Sequence, residues 1–149
     1  RAAPERPPAA AGRAAFTLML GLDTNVLVRF LVQDDPDQFD RARRLIRRET
    51  NAGDPVLISQ LVLLECEWVL RSRYGLGKDE ILRAFSGLLD SADVRIEDEA
   101  CVEEALYVWK ESVAEFADCL IGARHRALGC RATASFDTRA SRLPGFVAA

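Results

Sequence analysis

Short apolar runs alternate along this chain with longer stretches that repeat every three to four residues, so strand-like and helix-like patterns follow one another. Residues 18–22 predict a strand, followed by Asp23-Thr24-Asn25 and an apolar helix over 26–32. Asp34-Asp35-Pro36 stops that helix, because the residue before proline avoids helical angles. Residues 37–50 place Phe39, Ala42, Leu45 and Ile46 on one side of an amphipathic helix. Gly53-Asp54-Pro55 reads as a turn, 56–59 as a second strand, and 60–74 as a strongly apolar helix closed by Gly75. Helices are expected at 78–89, 99–110 and 116–128, the last ended by Gly129. Short strands are expected at 93–96 and 131–135, with an edge strand at 143–147.

Strands alternating with helices through short connections predict an α/β domain with a mainly parallel sheet built by right-handed crossovers. In such sheets ligands bind beyond the carboxyl ends of the strands. The acidic residues can be read against that rule.

Asp23 follows the first strand and Asp137 follows the strand at 131–135, so both project where a site should form. An Asp in that place also commonly caps the next helix, and for either residue alone this reading stands beside the functional one. In the helix over 60–74, a wheel of about 100° per residue puts Leu61, Leu64, Trp68, Val69 and Val62 on one apolar arc. Glu65 falls near the middle of that arc and Glu67 well outside it. A buried ionised carboxylate needs a cation, a hydrogen-bonding partner or a proton. For Glu65 that means a metal ion or a salt bridge to an arginine. Asp118 lies in the first turn of the helix over 116–128, where the helix dipole favours a carboxylate even without function. The wheel sets it away from Phe116, Leu120, Ala123 and Ala127, on the side of Gly122.

Four carboxylates converging at one end of a sheet would repel one another and raise their own pKa values, and a divalent cation removes that penalty. Hard Mg²⁺ or Mn²⁺ prefers oxygen ligands and leaves positions for phosphate oxygens, which suits phosphodiester hydrolysis.

Composition narrows the class. The 149 residues suffice for one domain, and 49% hydrophobic with 29% charged residues is the balance of a folded protein. No stretch approaches the roughly 20 apolar residues of a membrane span. Cys66, Cys101, Cys119 and Cys130 form no CxxC pair, and three of them sit in apolar helical patterns as expected buried thiols. With a single histidine, His125, a Cys/His zinc site is not expected, and a reducing cytoplasm fits best. Residues 1–18 are rich in Ala, Pro and Arg and lack periodicity, so they are expected to be a disordered extension, with the folded domain over 19–149. Met19 stands at the start of the first strand, which leads to the expectation that the natural protein starts near it. Without that tail the formal charge goes from −3 to −5. Such a balance runs against binding nucleic acid by bulk electrostatics and calls for local basic patches or metal ions.

Four segments of the chain carry a resemblance. LDTNVLVRFLVQDDP resembles the opening of PIN-domain proteins, especially VapC-type toxins of bacterial toxin–antitoxin modules. ISQLVLLECEWVLRSRYGL resembles their second motif, with Glu65 in the acidic position. EFADCLIGARHRALGC resembles the third, with Asp118, and ATASFDTRASRLPG the fourth, with Asp137. The resemblance spans residues 19–147 in order and spacing. It implies a Rossmann-like three-layer α/β/α sandwich, Mg²⁺ or Mn²⁺ dependence, endoribonuclease activity, inhibition by a cognate antitoxin protein, and a homodimer. It also implies that Asp23, Glu65, Asp118 and Asp137 are the catalytic, metal-holding quartet. Asn25 takes the family's Asn position, bracing the site, and Ser135 a small hydroxyl position suited to orienting a water at the metal.

Two functions from different classes remain. One is a metal-dependent endoribonuclease that leaves a 5′-phosphate and a 3′-hydroxyl. The other is a non-catalytic PIN-like module for protein or RNA contact, its acidic cluster structural. The complete quartet favours the enzyme. A phosphorylated receiver is disfavoured because the chain has only two lysines, Lys78 and Lys110, neither near the acidic motifs. Residues 41–48 (RARRLIRR) read as a solvated helix face, or as a contact for RNA phosphates or an acidic partner. Arg124, Arg126, Arg139 and Arg142 cluster near the third and fourth motifs, and spacing alone selects none of them as a phosphate contact. Trp68 and Trp109 are expected in the core or at an interface.

Overall fold

The computed structural model describes residues 18–149, so the expectations for the tail fall outside the described residues except at Leu18, which is exposed. Helix α1 (Thr24–Val32) begins where the Asp23 carboxylate accepts the Thr24 N–H at 2.8 Å. It ends at Gln33, whose left-handed backbone (φ 59°) closes the last turn before Asp34-Asp35-Pro36. Asp35 caps α2 (Pro36–Asn51) by accepting the Gln38 N–H at 3.0 Å, with Pro36 in the first turn. Strand β1 (Val56–Ile58) leads into α3 (Gln60–Ser72). That helix start is held twice, by Ser59 Oγ on the Val62 N–H and by Glu97 Oε1 on the Gln60 N–H. Gly75, at φ 64°, lets the Leu76 N–H return to the Leu70 carbonyl and stop the helix. Then follow α4 (Lys78–Asp90), β2 (Val94–Ile96), α5 (Glu99–Lys110), α6 (Phe116–Ala127), β3 (Thr133–Ser135), a 3₁₀ turn (Ala140–Arg142) and β4 (Phe146–Ala148).

Every strand pairing is parallel, as the alternation predicts. β1 runs beside β2 with Val56 opposite Val94 and Ile58 opposite Ile96. β3 runs beside β4 with Thr133 opposite Phe146. The expected first strand is reduced to a parallel bridge between Gly21 and Leu57, with Leu22 N–H on Leu57 O (2.9 Å) and Leu57 N–H on Leu20 O (2.8 Å). Among the described residues the strands form two short parallel pairs, alternating with helices in the α/β arrangement expected of a PIN-like fold. The core gathers the strand residues Val56, Ile58 and Ile96 against Leu27, Leu63 and Phe85 from the helices. Phe116 packs on Phe85 (5.6 Å between ring centroids) and on Trp109 (5.2 Å), which places Trp109 in the core. Among the described residues no helix is long and apolar enough to cross a membrane.

Helix α3 corrects the wheel reading. Its buried residues are Gln60, Leu63, Cys66, Glu67 and Leu70, while Leu61 and Trp68 are 78% and 50% exposed. Glu65 therefore faces outward and Glu67 is the buried carboxylate, 3% exposed. The helix is apolar on most of its circumference, so periodicity found an arc and could not say which arc meets the core. Glu67 is satisfied one turn on by Arg71, whose Nε–H it accepts at 2.8 Å.

Candidate active site

The turn after β3 is built by short-range polar contacts. Ser135 Oγ accepts the Asp137 N–H at 3.0 Å, and Asp137 Oδ1 accepts the N–H groups of Arg139 (2.8 Å) and Ala140 (2.9 Å). These two backbone donors, with the nearby Arg139 charge, hold the Asp137 pKa below its ordinary value. Asp137 thus serves as a cap, as Asp23 does at α1, and its second oxygen remains open to solvent.

Asp118 lies half-buried in the first turn of α6. Burial raises its pKa first, and the charges of Asp137 and Glu115 raise it further. The structure therefore brings Asp118, Asp137 and Glu115 into one electrostatic neighbourhood with surplus negative charge. Gly122, one turn after Asp118, is the reason α6 can lie close to β4: a Cβ there would run into the Phe146 ring.

Glu115 is the residue that sequence reasoning missed. It occupies the N-cap of α6, makes no side-chain capping bond, and acts on both Asp118 and the Arg71 guanidinium. The signal was present in its spacing, since i and i+3 at a helix start put Glu115 and Asp118 on the same turn.

The remaining predicted residues are placed differently. Asp23 is exposed at the start of α1, and the next residue, Thr24, is buried with its Oγ1 lacking a hydrogen-bond partner among the described residues. Glu65 is exposed on α3 and engages no cation among the described residues. Asn25 lines a groove of about 360 Å³ between α1 and α2 with Val26, Arg29 and Gln38, and bonds none of the four carboxylates. The acidic residues match a hard divalent cation in donor type, and the charges of Asp137 and Glu115 beside half-buried Asp118 are ones such a cation would offset. Among the described residues no three carboxylates are gathered closely enough to hold an ion, so the arrangement is not a preassembled cage.

The PIN domain model matches residues 21–145 of this chain. The chain is 21% identical over 122 residues to a VapC ribonuclease of Aquifex aeolicus (strain VF5), covering 82% of this chain and 90% of that protein. It is 25% identical to Mycobacterium tuberculosis VapC20 (Rv2549c), a sarcin-ricin loop cleaving toxin, whose crystal structure superposes with a TM-score of 0.37 over 82% of this chain and 92% of that one.

Proposed function

The chain belongs to the PIN domain family, and from that premise we propose that it is a metal-dependent endoribonuclease, the toxin of a type II toxin–antitoxin pair. One observation carries the reading: Asp118 is half-buried, and that burial first, then the charges of Asp137 and Glu115, raise its pKa, so that a divalent cation beyond the end of β3 would relieve the concentrated negative charge. The similarity to a VapC ribonuclease supports RNA as the substrate class.

In this reading Asp23, Glu65, Asp118 and Asp137 would hold Mg²⁺ or Mn²⁺, with Asn25 and Ser135 in support. When bound, the cation would supply electrostatic stabilisation of the phosphate and would lower the pKa of a water beside it. Asp137 Oδ1 is fixed by its two backbone donors, so its other oxygen would complete the site or orient the attacking water. Water oxygen bonds to phosphorus and releases its proton to solvent, the bond from phosphorus to O3′ breaks, and the electron pair leaves on O3′, which takes a proton from solvent. The products are a 5′-phosphate and a 3′-hydroxyl.

The cognate antitoxin protein is the partner that inhibits it. A homodimer belongs to the same reading, supported by the exposed Leu61, Trp68 and Ile121 on α3 and α6. The four free thiols fit a cytoplasmic setting.

A second reading, a non-catalytic PIN-like binding module, is favoured by the lack of a three-carboxylate cluster among the described residues. Cleavage of single-stranded RNA by purified protein separates the two. The enzyme reading expects cleavage that requires Mg²⁺ or Mn²⁺, stops in EDTA and leaves 5′-phosphate ends. Intact RNA under every divalent ion would leave the binding module standing.

A further inference from the structure

Among the described residues six arginines are held by carboxylates: Arg29 by Asp34, Arg43 and Arg44 by Asp40, Arg48 by Glu49, Arg71 by Glu67, and Arg126 by Glu104. Arg126 also donates to the Pro144 carbonyl at 3.0 Å, which makes it a structural strut. Lys110, Arg139 and Arg142 are exposed and pair with no carboxylate among the described residues. These three line one groove of about 460 Å³, whose walls carry a single acidic side chain, Glu111.

The local fold explains why two of them share a wall. Residues three apart eclipse one another in a 3₁₀ turn. In the segment 139–143, Ala140 and Leu143 are buried, anchoring one face, and Arg139 and Arg142 rise together beside it into the groove. The wall is joined directly to the acidic site, because the Arg139 N–H is one of the two donors on Asp137 Oδ1. The opposite wall, residues 110–114, runs straight into Glu115 and the first turn of α6, where Asp118 sits. Each wall of the basic groove is therefore the continuation of a segment that carries an acidic site residue.

We infer that this groove, with Lys110 on one wall and Arg139 and Arg142 on the other, binds the phosphodiester backbone of single-stranded RNA next to the acidic site. The inference deepens the ribonuclease reading and rests on it for the substrate class. It also bears on how a chain of formal charge −3 holds a polyanion: three cations without a carboxylate partner among the described residues share one groove whose lining carries a single acidic side chain. The groove positions the strand and does not perform the chemistry, so its residues are positioning residues.

The test uses the full chain and a labelled single-stranded RNA oligonucleotide in EDTA, so that binding is read without cleavage. Fluorescence anisotropy is followed over a series of KCl concentrations. Arg139→Gln and Arg142→Gln should each weaken binding several-fold and lower the slope of log Kd against log salt by about 0.7 per lost phosphate contact. Arg95→Gln, on β2, is the matched control and should leave both quantities unchanged. Lys110→Gln tests the other wall and should reproduce the effect even if a variant in the 3₁₀ turn folds poorly. In cleavage assays the groove variants should raise KM with little change in kcat and keep the same metal requirement.

Wild-type affinity and salt slope in all three groove variants would overturn the inference. So would unchanged RNA binding together with lost binding of a polyglutamate peptide, which would assign the groove to an acidic protein segment. If the wild type cleaves no RNA but binds it through these residues, the catalytic reading falls and the groove stands. If the wild type cleaves and the variants match it in binding, only the groove falls.

Discussion

The buried Glu67 carboxylate accepts the Nε–H of Arg71 at 2.8 Å, one helical turn further along α3. The two ends of this pair differ in exposure: the Glu67 side chain is 4% exposed and that of Arg71 47%. Removing Arg71 therefore strands a charge in the interior, whereas removing the Glu67 charge leaves a cation that water can still reach. Arg71→Met should cost about 3 kcal/mol and Glu67→Gln about 1 kcal/mol. Denaturant melts give the order directly, and a larger loss for Glu67→Gln would mean that the burden lies on the arginine.

Glu65→Gln is the counterpart on the exposed side of the same helix. Its carboxylate engages no cation among the described residues, so stability should change by less than about 0.5 kcal/mol. If Glu65 holds metal, cleavage should fall on the order of 100-fold or more while the fold survives. An active Glu65→Gln protein removes this residue from the metal site.

At Asp118, ionisation opposes folding. Its folded pKa is raised above the ordinary 3.8, mainly by burial and then by Asp137 and Glu115. The folded state thus holds the proton more tightly, and the penalty is present in full above the folded pKa and fades as pH falls below 3.8. Without metal, Asp118→Asn should melt higher than wild type at pH 7, and the difference should vanish in acid. With Mg²⁺ the wild type should regain the difference by binding the ion. Melting curves at both pH values, with and without Mg²⁺, read all three effects.

Asp34 behaves in the opposite sense. The Arg29 guanidinium and the Tyr74 hydroxyl both bond its carboxylate, holding its pKa below the ordinary value. Its stabilising contribution is complete above 3.8 and is lost as pH falls through the lowered folded pKa. Asp34→Asn should therefore be less stable than wild type at pH 6 and converge with it near about pH 2. Parallel curves over that range would mean that the pair is not felt by the fold.

Gly122→Ala tests the closeness of α6 to β4. Alanine ordinarily gains about 1 kcal/mol over glycine inside a helix. Here the added Cβ meets the Phe146 ring, so a net loss of about 1–3 kcal/mol is expected. Shortening the ring in the double variant Gly122→Ala, Phe146→Leu should recover part of it. A stabilised Gly122→Ala protein would show that the ring moves aside freely.

The sequence by itself determined the order of elements and most of their boundaries. Apolar period, the Asp and Ser caps, Pro36 and Gly75 act within a few residues, so the helices from α1 to α6 are legible where they form. The four family motifs likewise carried Asp23, Glu65, Asp118 and Asp137 as candidates, because a motif is a local string. What only the tertiary structure decided is which way those strings face. Helix α3 is apolar on both sides, and packing alone chose Leu63, Cys66 and Leu70 for the core, turning Glu67 in and Glu65 out. Asp137 came beside Asp118, and so beside Glu115 on the same helical turn, only when the start of α6 met the turn after β3. Arg139 and Arg142 were separated from Arg126 in the same way, by whether a carboxylate from a distant segment, Glu104 on α5, arrived to neutralise the charge. Such pairings join residues far apart in the chain, and their energies depend on distance and burial, which no local pattern encodes.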